Sequence, residues 1–120
     1  MPEINPGDDR GLVSVPGSYP YAPNLAINSA IGLAKIFLTG NILILVPTNA
    51  RDGCRLEIWL TADSTDRNLS FDESIVVQGN LDDDGNPTPF VVSAGTTAII
   101  TLRYDLARDV WWSEKTFIGY

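Results

Sequence analysis

Asn80, Asp82 and Asp84 carry oxygen side chains at alternate positions, and Gly85 closes the run. Alternate oxygens can converge on one hard cation while a glycine makes the sharp turn, as in the first half of a calcium loop. The second half does not follow. A bidentate glutamate is needed at the twelfth position, where this chain has Val91, and Pro87 and Pro89 interrupt the path. The run reads as a solvated acidic turn, and no metal ligand is assigned. Other chemistry is removed by residue type. The chain has no histidine. That excludes Ser-His-Asp and Cys-His activation, histidine-bound zinc and the commonest general base. Neither a Walker-type phosphate loop nor a GxGxxG stretch occurs. Asp52, Asp63, Asp66, Asp72, Asp105 and Asp109 fall in turn-forming segments, where aspartate usually bonds the backbone. Cys54, the single cysteine, opens an apolar stretch and reads as a structural thiol. No enzymatic activity, catalytic residue, cofactor or metal is expected.

The aromatic residues point to binding instead. Trp111 and Trp112 are adjacent on an expected strand, so one faces the core and the other a second sheet, a neighbouring subunit or a ligand. Trp59 stands on the polar side of its strand, opposite Leu56, Ile58 and Leu60. An outward tryptophan there reads as a protein contact in preference to a sugar platform. Trp59, Trp111 and Trp112 are therefore the candidate subunit or ligand interface.

The elements that must position them are strands. The 120 residues have room for one domain. From residue 33 the apolar period is two. Ile36–Leu38 and Ile42–Val46 flank a Gly40-Asn41 pair that reads as a tight hairpin turn. Both runs are nearly continuously apolar, as expected if both faces are covered. Pro47 ends the second run, and Arg51-Asp52-Gly53 is a turn. Strands are expected over Cys54–Ala62, Leu69–Phe71, Ile75–Val77, Val91–Val92, 97–104 and 110–118. Gly79–Pro89 is expected to be a long acidic loop. A short helix within Ala22–Ala34 is the one exception to the period of two. Short strands with turn signals between them predict an all-β fold, an antiparallel β-sandwich or jelly-roll-like barrel over residues 25–120.

Residues 1–24 differ. Five prolines and three glycines keep this segment out of a central strand or helix interior. Leu12, Val13, Val15, Tyr19 and Tyr21 are apolar anchors along it, so the segment reads as an extended arm that orders on a partner surface. Fifteen acids against eight basic residues leave a net charge of −7. This disfavours nucleic acid and anionic membrane as partners. No secretory signal or transmembrane stretch is visible, and a cytoplasmic site of synthesis is expected.

The order of these elements resembles a small β module of tailed-bacteriophage virion proteins. The matching residues are Leu38, Thr39, Gly40, Asn41, Pro47, Gly53, Leu56, Ile58, Asp63, Ala94, Gly95, Thr96, Leu102, Trp111 and Trp112. The likeness spans residues 33–120, with a longer and more acidic loop at Gly79–Pro89 than the pattern has. It implies a virion protein assembled in a host cytoplasm and often homotrimeric. A module with a proline-rich arm and no shaft fits a capsid decoration (cement) protein, whose arm holds the major capsid protein or other virion subunits. The alternative is a tail-fibre or tail-tip module that recognises a host surface glycan or protein. A carbohydrate-binding module unrelated to phage is the third reading.

Overall fold

The computed structural model describes residues 18–77 and 90–117. These form nine strands: β1 (Asn24–Leu25), β2 (Leu33–Leu38), β3 (Ile42–Ile44), β4 (Arg55–Ala62), β5 (Arg67–Phe71), β6 (Ile75–Val76), β7 (Phe90–Val92), β8 (Thr97–Asp105) and β9 (Val110–Phe117). The all-β expectation holds, and β4 follows the period read from its sequence. Leu56, Ile58, Leu60 and Ala62 are buried, while Arg55, Glu57, Trp59 and Thr61 face outward. The expected helix is reduced to one 3-10 turn, Ser29–Ile31. Asn28 caps it, its side-chain oxygen accepting from Ala30 N at 3.0 Å. A capped single turn is what a proline- and asparagine-punctuated stretch can sustain between two strands.

Two sheets contribute to one core. The four-stranded sheet runs β1-β3-β5-β7 and the five-stranded sheet runs β2-β4-β8-β9-β6. Ile36, Leu38, Ile58, Leu60, Ile100, Leu102 and Trp111 from the larger sheet share a buried cluster with Ile42, Ile44, Leu69 and Val92 from the smaller. Both sheets are mixed, which corrects the expectation of a purely antiparallel fold. The β4–β8, β8–β9 and β5–β7 pairs are antiparallel, as expected. The β1–β3, β2–β4, β3–β5 and β6–β9 pairs are parallel.

The parallel pairs correct the hairpin expected at Gly40-Asn41. Strands β2 and β3 lie in different sheets, so the chain crosses the core there. Neighbours from elsewhere occupy the ladder positions that a hairpin would use. All six residues of β2 pair with β4, and β3 sits between β1 and β5. Gly40 is required for closeness, not for a left-handed backbone. A Cβ on it would run into the Tyr21 hydroxyl, which donates to Asn41 O at 2.7 Å. From β1 to β5 successive strands alternate between the two sheets, so the chain winds around its core.

Candidate interaction surface

The outward face of the five-stranded sheet gathers the tryptophans that remain available to a partner. Period-two alternation sends Lys35 and Phe37 of β2 to this face, together with Glu57 and Trp59 of β4. Thr101 and Arg103 of β8 and Trp112 of β9 join them. Parallel register sets Lys35 beside Trp59, and Trp59 lies in turn beside Ile99. The Lys35 ammonium stands 4.6 Å over the centre of the Trp59 ring, a cation–π contact. The Trp59 indole N–H donates to a Glu57 carboxylate oxygen. The ring is thus held from two sides.

Trp112 is pinned in the same way. Its indole N–H donates to Asp105 Oδ2 at 3.3 Å, and Arg108 donates to the same oxygen at 2.9 Å. The Arg108 hydrogen bond is the main reason the Asp105 carboxyl sits below the usual carboxylate range. Between the two tryptophans lies an ion lattice. The β8–β9 register shifts at Thr101/Leu102, and Glu114 falls in the resulting bulge. Bulges re-aim side chains, and here the Glu114 carboxylate meets Arg55 Nε and Arg103 Nε, both at 2.9 Å. The Arg103 contact is an ion pair only, since its buried Nε–H is not aligned for a hydrogen bond.

Trp111 is the core member of the Trp-Trp pair. It is fully buried, with its ring 5.1 Å from that of Tyr104 and its N–H without a partner. It therefore takes no part in an interface, whereas Trp112 is 40 % exposed. The sequence left open which of the two faces inward. Register decides it, because Trp111 pairs with Tyr104 on the inward face of β8.

Of the arm anchors, Leu12, Val13 and Val15 lie outside the described residues. Tyr19 and Tyr21 pack against the chain's own core. The Tyr19 hydroxyl accepts from Asn28 N at 3.3 Å, and Tyr19 N donates to Lys35 O at 2.8 Å. These two residues thus root the arm at the β2 edge, where Ser18 bridges Lys35 in parallel. Lys35, Phe37 and Glu114 are surface members that sequence reading missed. Phe37 could have been found. It lies in a run expected to be covered on both faces, yet it is 57 % exposed.

Distant motif residues meet at one end of the fold. Asp63 accepts from Arg67 Nε and Nη2, at 2.9 and 2.8 Å, in a bidentate fork. That fork lowers the Asp63 pKa and raises that of Arg67. Asp63 O also accepts from Gly95 N at 2.8 Å. Asp66 Oδ1 accepts from Ala94 N at 2.8 Å, and Asn41 Oδ1 accepts from Asn68 N at 2.9 Å. Asp63 N donates to Leu38 O at 3.2 Å, so the Leu38–Asn41, Asp63–Asp66 and Ala94–Thr96 turns are stapled together.

Among the described residues, no group of three or more His, Cys, Asp and Glu side chains could hold a metal ion. The Asn80–Gly85 run lies outside them. Cys54 is half-buried, and its sulfur accepts weakly from Arg51 N at 3.4 Å, as a structural thiol does. No described helix is long and apolar enough to cross a membrane. A scan of protein-family models finds no match to the chain, and a search of curated proteins finds no relative.

Proposed function

We propose that this chain is a non-enzymatic structural protein of a tailed-bacteriophage virion: a head decoration protein that fastens to the shell through its N-terminal arm. The two facing sheets are read here as the layers of a sandwich that the arm carries to the capsid as a small trimer. The observation that supports this most is the root of the arm. Tyr19 and Tyr21 fix the chain to the module by side-chain and backbone bonds, so pull on the segment upstream of Ser18 passes into a folded core. Attachment segments need such a root, and repeated weak contacts then add through avidity. The outward tryptophans favour a protein partner over a sugar. Glu57 takes the N–H of Trp59 and Lys35 covers its ring, which leaves a poor stacking platform.

The test adds purified chain to undecorated heads of the virus that encodes it. Intact protein is expected to co-sediment with heads at saturating stoichiometry, and protein lacking residues 1–17 to remain in the supernatant. Full head occupancy by the truncated form overturns the arm's role. The tail-tip alternative draws on the three stapled turns at one end of the fold, which form a compact polar tip. Antibody labelling of intact virions separates the two, since label on the tail tip with bare heads replaces the decoration reading.

A further inference from the structure

The segment Ser18–Leu25 lies along an edge of both sheets. Ser18 bridges Lys35 of β2, an outer strand of the larger sheet. Farther along, Asn24 and Leu25 form β1, an outer strand of the smaller sheet, against Leu43 and Ile44 of β3. One stretch of chain therefore reaches from the first sheet to the second. Sheet edges invite further pairing unless something occupies them, and this stretch occupies two. We propose that Ser18–Leu25 is a detachable strap, which opens and recloses as one unit while the rest of the fold stays intact. The inference does not depend on what the arm holds, and it identifies the part of the arm's root that yields first.

Three observations set the strap apart. The first is its fastening. Tyr19 N donates to Lys35 O at 2.8 Å, while Leu43 N and Leu45 N donate to Pro23 O and Leu25 O at 2.8 and 2.9 Å. Pro20 and Pro23 have no N–H to add. The two tyrosine hydroxyls contribute one bond each, to Asn41 O and from Asn28 N. The second is burial. None of the strap residues is fully buried, and Ser18, Pro20, Pro23 and Asn24 are exposed, whereas Ile42 and Ile44 of the adjoining β3 are buried. Little apolar burial and few bonds mark a segment of low local stability. The third is a sharp boundary. Ala26 is exposed, but Ile27 is fully buried. Ile27 O accepts from Thr48 N, and Ser29 N donates to Thr48 O, both at 2.9 Å. Opening therefore ends at Ala26 and asks no change of the core.

The experiment is native-state hydrogen exchange of the full-length chain, read amide by amide by NMR in urea below the unfolding transition. Tyr19, Leu43 and Leu45 report the strap, because their N–H groups bond across its junctions. Ile58 and Leu60, in the middle of β4 between β2 and β8, report the core. The strap amides are expected to share one opening equilibrium, with protection about tenfold or more below that of the core amides. Two variants separate the events. Ile100→Val trims a fully buried side chain of β8. It is expected to lower core protection about twofold to tenfold and to leave the strap amides unchanged. Tyr21→Phe removes a fastening that both openings break, and is expected to lower protection in both groups about fivefold. Equal protection of strap and core amides overturns the proposal, since the segment then opens only with the whole fold. A loss at the strap amides in Ile100→Val equal to that in the core overturns it too, as does no change at Leu43 and Leu45 in Tyr21→Phe.

Discussion

Replacing Gly40 by alanine tests the root of the arm at a single atom. The new methyl would run into the Tyr21 hydroxyl, with Tyr21 Cζ 3.3 Å away. The ring must swing out, and its hydrogen bond to Asn41 O is lost. Overpacking of this kind costs about 1–3 kcal/mol. Removing the hydroxyl alone, with Tyr21→Phe, forfeits one partly exposed hydrogen bond, about 1 kcal/mol. In the double variant the colliding atom is gone and the hydrogen bond is lost only once. Its cost is therefore expected to be about 1–1.5 kcal/mol, well under the sum of about 2–4 for the single changes. The assay is urea unfolding followed by the fluorescence of the three tryptophans. Additivity within about 0.5 kcal/mol refutes the reasoning, because it means Tyr21 does not lie over Gly40.

Other expected outcomes concern the core and the pH limits of stability. Trp111→Ala should cost about 3–5 kcal/mol in urea unfolding. Trp111→Phe keeps the ring against Tyr104 and removes a buried N–H that has no partner, so its cost should be a fraction of that; equal costs would show that the N–H is bonded. Asp63 has its pKa lowered in the fold, first by the Arg67 hydrogen bond. Its contribution to stability is present above the unfolded carboxylate pKa of about 4 and lost as pH falls through the depressed folded value. An acid titration of stability should accordingly be shallower in Asp63→Asn. Tyr104 titrates in the opposite sense. Its hydroxyl donates to Asp109 Oδ1 at 2.6 Å, which raises its pKa. That contribution is intact below the unfolded tyrosine pKa of about 10 and disappears as pH rises through the folded value. Ultraviolet titration of folded protein should show a late-ionising tyrosine that Tyr104→Phe removes.

Facing was legible in the sequence and partnering was not. The alternation of Leu56, Ile58 and Leu60 with Glu57, Trp59 and Thr61 identifies the buried side of β4 without any knowledge of its neighbours. Nothing in that alternation says that β2 runs parallel to it, because a period of two specifies a face and leaves the adjacent strand open. The Gly40-Asn41 pair misled for a related reason. Glycine signals a turn whether it is needed for a left-handed backbone or for the close approach of another side chain. Only the place of Tyr21, twenty residues from Asn41, separates the two. The interaction surface was half legible. Trp59 and Trp112 announced themselves by alternation. Lys35 became visible only through the β2–β4 register, and Glu114 only through a bulge.

The winding of the chain also has a consequence in time. A hairpin can form as soon as its two strands exist, but a strand that alternates between sheets waits for a neighbour made much later. β4 lies between β2 and β8, so its second edge stays unsatisfied until synthesis has passed Thr97. Non-local pairing of this kind slows folding. The β8–β9 hairpin, made last, is the local structure able to form quickly. For much of its synthesis the growing chain therefore lacks the second neighbour of β4. Any assembly that relies on the finished sheet face must await the final strands, which imposes an order of events on copies emerging side by side.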